Sequence, residues 1–295
     1  MYVTRIAPSP SGDMHIGTAR TAYFNCLFAK TTGGTFYLRI DDTNKDKSDP
    51  AFTDVILKTM DWLGLDYTGP VLQSERFDKY RRLAEQLLLD WKAELEPNGA
   101  VKLISATVPE TWHDEVAGEM KLSKSDWMSA QETIILRGDG SPTYHFASVV
   151  DDVEMGVNLI CRGVDHISNT PRQIGIFNAL GASVPKFAHI GLIHQGGKKL
   201  SKSDGAASML YYREKGYDPD AMLNFLLRMG WGPKVDDKTA AMIDRQRALE
   251  LFIGGGTLKA SAANMDLHKL ESYDRKYKAK KGVWRTGQKL IGDEK

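Results

Sequence analysis

The sequence predicts an α/β fold, a doubly wound parallel sheet, on three observations. Short β-prone runs alternate with segments whose apolar residues recur at helical spacing. The join between the first strand and first helix is a proline- and glycine-rich loop. A second strand follows that helix, giving the order strand, helix, strand, helix.

Each element has a local reason. Tyr2 to Ala7 is β-prone and is stopped by Pro8-Ser9-Pro10-Ser11-Gly12, after which Thr18 to Lys30 carries helical periodicity. Thr35 to Ile40 reads as the second strand. Asp49-Pro50 then opens a helix with Phe52, Val55, Ile56, Met60 and Leu63 on one face, closed by Gly64. In such a sheet ligands bind beyond the carboxyl ends of the strands, where the loops after Ile6 and Ile40 fall. From Asp90 to Thr143 the pattern is irregular, with breakers at Glu96-Pro97-Asn98-Gly99 and Gly138 to Pro142, and is read as an insertion. Val157 to Arg162 resumes as a strand, followed by a helix near Pro171 to Leu180 and a short strand from His189 to Ile193. Beyond Asp218-Pro219 the chain reads as helical, and from Leu267 onward it is rich in Lys and Arg. The expected division is 1–89 and 144–235 for the two halves of the sheet domain, 90–143 for the insertion and 236–295 for a helical segment with a basic tail.

With 295 residues, 42% hydrophobic and 26% charged, the chain can bury one large core or two modest ones. A formal charge of +1 argues against a uniformly basic nucleic-acid coat but leaves room for a local basic face. The only cysteines, Cys26 and Cys161, form no CxxC pair, which excludes a disulfide framework and a cysteine-rich zinc knuckle. That usage suits a reducing compartment. The absence of a leader or a membrane-length apolar run points to the cytoplasm.

Two constellations carry chemistry. In Pro8 to Gly17 the glycines Gly12 and Gly17 let backbone approach a ligand, a helix N-terminus offers unpaired amides, and His15 can donate to a phosphoryl oxygen. Taken alone, this could be a turn with a surface histidine. Gly196 to Ser203 places Lys199 and Lys202 around Ser201 on a glycine-flexible loop, suited to charge developing on phosphoryl oxygens. Taken alone, this could be a solvated basic loop. The hexapeptide Lys-Leu-Ser-Lys-Ser-Asp also occurs at Lys121 to Asp126, without repeated flanks, and the duplication reads as coincidence.

In order and separation the two constellations resemble the HIGH and KMSKS motifs of class I aminoacyl-tRNA synthetases. The resemblance extends through Val3 to Pro10, Arg39 to Thr43, Pro142 to His145, Val149 to Asp152 and Arg162 to Gln173, and is closest to the glutamyl-tRNA synthetase family, loosely to about Gly282. It implies a Rossmann-like catalytic domain with an inserted acceptor-binding subdomain and a stem-contact-like helical segment. It also implies ATP-dependent formation of glutamyl-adenylate and transfer to tRNA. ATP with Mg2+ would lie on Ser11, Gly12, His15, Gly17, Lys199, Leu200, Ser201 and Lys202, with His15, Lys199 and Lys202 catalytic. Glutamate would be held by Arg5, Ala7, Ser9, Asp41, Tyr144, Ser148 and Arg162. The two guanidinium groups and the Tyr144 hydroxyl would take its side-chain carboxylate, and Asp41 with Ser9 its ammonium.

The chain departs from the family pattern where Asp41 replaces the common Glu, Ser148 an Asn and Ser203 an Arg, so the amino-acid pocket is expected to be re-spaced. Set against the family pattern, the chain is expected to lack the anticodon-binding region, and the insertion holds only His113 and no cysteine, so no structural zinc is expected. A monomer that contacts glutamate and the tRNA acceptor stem, and no membrane, is the resulting picture. Three alternatives stand beside it: a glutamyl-queuosine tRNA(Asp) synthetase, an aminoacyl-adenylate ligase with a non-tRNA acceptor, and a non-catalytic tRNA-binding paralogue.

Overall fold

The computed structural model describes residues 1–104, 107–200, 207–233, 242–254 and 256–282, with the backbone alone at Lys45, Lys198, Lys199, Ile253 and Thr257. Ser201 and Lys202 lie outside the described residues.

The chain opens with β1 (Val3–Ile6), α1 (Ile16–Thr31), β2 (Thr35–Ile40), α2 (Pro50–Leu63), β3 (Thr68–Leu72) and α3 (Phe77–Leu89). His15 caps α1 by accepting from the Gly17 amide, and Asp49 caps α2 by accepting from Ala51, with Pro50 at the first helical position. α1 is buried on most of its circumference, at Ile16, Ala19, Phe24 and Leu27 among others. A helix enclosed this way carries no polar stripe, as its sequence shows.

Next come β4 (Ala93–Leu95), β5 (Val101–Leu103), β6 (Thr111–Asp114), β7 (Gly118–Lys121), α4 (Lys124–Gln131) and β8 (Ile134–Leu136). β4, β5 and β8 make a small antiparallel sheet. The β6–β7 hairpin leaves it and joins the main sheet, so the irregular stretch expected as an insertion supplies two strands to the main sheet. The second copy of the lysine hexapeptide has a local role here: Ser123 caps α4 by accepting from the Asp126 amide.

The second half contains α5 (Tyr144–Glu154), β9 (Leu159–Gly163), α6 (Thr170–Ala179), β10 (Lys186–Ile190), β11 (Ile193–Gln195) and β12 (Lys198–Lys199). It continues through α7 (Met209–Glu214), α8 (Pro219–Arg228), β13 (Trp231–Pro233), α9 (Arg245–Gly254), β14 (Gly256–Leu258), β15 (Ala263–Asn264) and α10 (Leu267–Lys280).

β3, β2 and β1 are parallel neighbours, as are β9, β10 and β6. The two groups meet where β9 runs beside β1, with the Asn158 amide donating to the Val3 carbonyl at 3.1 Å. The spatial order is therefore β3-β2-β1-β9-β10-β6-β7, doubly wound, and it reverses direction at β1. Apolar cores fill both faces. One joins α1, α2, α7, α8 and α9 to the sheet, and the other joins α3, α5 and α6. Leu251, Phe252 and Leu270 belong to the first core, so α9 and α10 are packed parts of the same body. Phe252 stacks on Phe24 and meets Phe28 edge-on, which adds aromatic geometry to the burial.

The basic stretch spends part of its charge internally. Lys278 pairs with Asp274 at 2.5 Å, and Lys281 with Asp218 and Asp220 at 2.8 and 2.6 Å.

Between β10 and β11 the chain turns at Gly191, whose amide donates to Lys259 and whose carbonyl accepts from Arg20. A Cβ there would stand 2.0 Å from the Ser261 carbonyl oxygen, so only glycine admits this approach. Among the described residues no helix is long and apolar enough to cross a membrane.

Candidate active site

A cavity of about 680 Å³ opens at the carboxyl ends of β1 and β9, where the strand order reverses. Of the site residues expected from sequence, Arg5, Ala7, Ser9, Ser11, Gly12, His15, Gly17, Tyr144, Arg162 and Leu200 all line it. Asp41 and Ser148 do not.

The loop from Pro8 to His15 forms one wall. Its backbone is tied to the end of β2 by the Asp41 amide, which donates to Pro8 at 3.0 Å, and to α2 by the Asp49 amide, which donates to Pro10 at 3.0 Å. The His15 Nδ1 lone pair accepts the Gly17 amide at 2.9 Å, so the imidazole keeps its proton on Nε2 and is a donor on that side. A Cβ at Gly17 would stand only 3.1 Å from that Nδ1. The residues on either side of the lysine loop are held by hydrogen bonds, one flank to β11 and the other to this wall. Leu200 is buried, lines the cavity and donates its amide to Ile193 at 3.1 Å. Ser208 donates to Asp13 at 2.8 Å, and the Met209 amide donates to Met14 at 2.9 Å.

Two arginines face the cavity from the strand ends. Arg5 donates twice to Asp152, at 3.0 and 3.3 Å. Asp152 also accepts from Arg39 at 2.6 Å, and the two guanidinium groups together overcome burial to hold its carboxyl below the usual range. Arg162 differs. It donates to His189 Nε2 at 3.0 Å, to Gln173 at 2.7 Å and to Thr170 at 2.9 Å, all neutral acceptors, with the Tyr144 hydroxyl beside it. Burial pushes its pKa down to about 10, opposed by Tyr144. His145, next to Tyr144 in the first turn of α5, is pushed down to about 4 by burial and by the charges of Arg172 and Arg162.

Asp41 and Ser148 stand behind the wall, occupied by Arg39. That fully buried guanidinium donates to Asp41 at 2.7 Å and to the Ser148 hydroxyl at 2.9 Å. Burial raises Asp41 because a single close guanidinium opposes it, whereas Asp152 has two. Asp41, expected to receive the substrate ammonium, is part of a buried ion cluster. Asp151 extends the cluster by accepting from Gln73, Arg76 and Tyr80 at 2.8 to 2.9 Å.

Sequence reasoning passed over Arg39, Asp152, Asp114 and His189 as site-supporting residues. Asp114, on β6, accepts from His189 Nδ1 at 2.5 Å, and both side chains are fully buried. For Arg39, Asp114 and His189 the available signal was a charged residue or histidine in a short strand, which when buried demands a partner, whereas Asp152 lies on α5 and gave no such signal. Among the described residues no group of three or more His, Cys, Asp or Glu side chains is placed to hold a metal ion.

Comparison with known proteins agrees with this geometry. Residues 1–94 and 100–277 match the family described as tRNA synthetases class I (E and Q), catalytic domain. A glutamate–tRNA ligase from Xanthomonas euvesicatoria pv. vesicatoria is 39% identical, covering 93% of this chain and 66% of that protein. One from Dichelobacter nodosus is 41% identical, covering 78% of this chain and 57% of that protein. The chain thus spans at most about two thirds of the length of these curated relatives. Among solved structures, a glutamate tRNA ligase from Elizabethkingia meningosepticum in complex with its amino acid superposes with a TM-score of 0.82 at 25% identity, over 94% of this chain and 69% of that one. The family match covers both strand-end loops and the whole sheet that positions them, and the chain belongs to the class I tRNA synthetases (E and Q), in their catalytic domain.

Proposed function

We propose that this chain activates glutamate with ATP and transfers the glutamyl group to a tRNA. The observation that carries the reading is Arg162, a buried guanidinium that faces the cavity with only neutral hydrogen-bond partners, beside Arg5 and Tyr144. A buried cation in a neutral shell is completed by an arriving anion, and a side-chain carboxylate matches the guanidinium fork. Glutamine offers no charge there and is the poorer ligand.

In the first step a glutamate α-carboxylate oxygen attacks the α-phosphorus of ATP, the bond to the β-phosphate oxygen breaks, and pyrophosphate leaves. In the second, a terminal ribose hydroxyl of tRNA attacks the mixed-anhydride carbonyl, loses its proton and displaces AMP. His15 donates from Nε2 to a phosphoryl oxygen, while the amides at the start of α1 supply positive potential. Lys199 and Lys202, around Ser201, meet charge that grows on the phosphates in the transition state. Magnesium would come with the nucleotide. Asp13 and Asp165 are the carboxylates among the described cavity-lining residues, too few for a protein cage, so the phosphates would supply most ligands. Ser9 and Ala7 border the amino-acid end, where the substrate ammonium would be received. The acceptor stem of the tRNA and action as a cytoplasmic monomer belong to the same reading.

The test is ATP–pyrophosphate exchange with each amino acid, with and without total tRNA, followed by charging with labelled glutamate. Exchange restricted to glutamate is expected, with label appearing on tRNA. Exchange with another amino acid alone overturns the substrate, and exchange with no labelled tRNA overturns the acceptor.

A further inference from the structure

Arg162 is held by a hydrogen-bond chain that begins outside the cavity, on the hairpin β6–β7. We infer that Asp114 and His189 are positioning residues for Arg162: the Asp114 carboxylate fixes the His189 tautomer, and that tautomer sets the plane in which the guanidinium meets the substrate. The inference rests on the reading that Arg162 receives the carboxylate of glutamate.

The geometry leaves one arrangement of protons. Asp114 Oδ1 accepts the amides of Val116, Ala117 and His189 at 3.0, 2.8 and 3.1 Å, and Oδ2 faces His189 Nδ1 at 2.5 Å. A carboxylate accepts and does not donate, so Nδ1 carries the proton. On the other side of the ring, Nε2 meets the Arg162 Nε–H at 3.0 Å, and guanidinium only donates, so Nε2 must be bare. The ring is therefore neutral, protonated on Nδ1; the other tautomer, or the imidazolium, would set two donors face to face. Phe187 completes the support. Its ring lies 6.2 Å from the His189 ring at an interplanar angle of 8°, and the Arg162 guanidinium carbon sits 5.7 Å from its centroid. Gln173 and Thr170 then hold the two outer nitrogens. The orientation of Arg162 is thus written by residues that never reach the cavity, as a carboxylate orients a catalytic imidazole in other enzymes.

Asp114→Asn tests this with little change of shape. The asparagine oxygen can keep the three backbone amides, while its NH2 group faces Nδ1 and drives the proton to Nε2, against Arg162. The KM for glutamate is expected to rise about tenfold or more, with the KM for ATP within about twofold and the thermal midpoint little changed. His113→Ala, on the exposed side of the same hairpin, should leave both constants alone. His189→Gln can accept from Arg162 and donate to Asp114, and is expected to recover much of the glutamate affinity that His189→Leu loses. Nitrogen chemical shifts of His189 report the tautomer independently of activity, Nδ1-protonated in the parent and Nε2-protonated in Asp114→Asn. A parent ring protonated on Nε2 overturns the inference, as do equal rises in both KM values or none. Failure of the parent to exchange pyrophosphate with glutamate would instead overturn the proposed function, with the tautomer still readable.

Discussion

Arg5 and Arg162 face one cavity and are almost equally buried, at 4% and 6% exposure, yet their surroundings are opposites. Around Arg5, on β1, charges are balanced in a lattice: Asp152 binds Arg5 and Arg39, and Arg39 binds Asp41. Around Arg162, on β9, the direct hydrogen-bond partners are neutral, and the imidazoles of His145, His166 and His189 are all held below their ordinary titration range, chiefly by burial. Arg39 shows the effect of balance, since its carboxylate neighbours outweigh burial and raise its pKa, whereas burial lowers that of Arg162. A charge-balanced arginine is framework. A charge-deficient one is a receptor, because its burial is offset in full only when an anion arrives.

The widest test of that contrast is removal of each guanidinium. Arg162→Met should lower kcat/KM for glutamate activation about a thousandfold, or about 4 kcal/mol, with the KM for ATP nearly unchanged. Arg5→Met should cost less in activity, about a hundredfold, but more in stability, because it removes one of the two guanidinium partners of Asp152. Equal losses in both readouts, measured by exchange kinetics and urea unfolding, would erase the distinction.

Asp152→Asn probes the balanced region directly. It strips Arg5 and Arg39 of a shared buried counter-charge and should destabilise the fold by about 3–5 kcal/mol. Because the folded-state pKa of Asp152 lies below its ordinary value, its contribution is complete above that ordinary value and is lost as pH falls through the lowered one. The parent should therefore lose stability more steeply than the variant at the acid end of a denaturation series.

A smaller effect sharpens the neutral side. His145, held at about 4, takes up a proton in the unfolded chain at a pH where the folded chain refuses it. Stability should thus fall as pH drops from about 6.5 towards 4, by at most about 1.4 kcal/mol per pH unit for this one group. His145→Gln should flatten that slope, and an unchanged slope would mean that the ring charges freely in the folded state.

Much of this was legible in the sequence because it is local. Strand β2 starts and stops where Thr35 and Ile40 suggest, and Asp49-Pro50 and Gly64 bracket α2. Many of the cavity-lining residues sit at the carboxyl ends of β1 and β9 or in the loops after them, which sequence order alone can place. Long-range polar pairing is what stayed hidden. Nothing near Asp41 in the chain announces Arg39 as its owner through Asp152 and Ser148, both more than a hundred residues away. Nothing in Thr111 to Asp114 shows that it pairs with β10, since a four-residue run with a charged end has no period to read. Asp114 and His189 are 75 residues apart and meet only because those strands are neighbours.

Gly191 does not itself line the cavity, yet it joins three pieces of chain: Arg20 from α1, the turn after β10, and the backbone from Lys259 to Ser261. Every first- or second-base change in a glycine codon introduces a Cβ or ends translation, and here a Cβ would collide with backbone rather than with a side chain that could swing aside. Codon 191 therefore has only its third base free to drift. A residue with no side chain becomes one of the most constrained letters in the gene, and a record of neutral variation would show it as a silent gap beside a site it does not line.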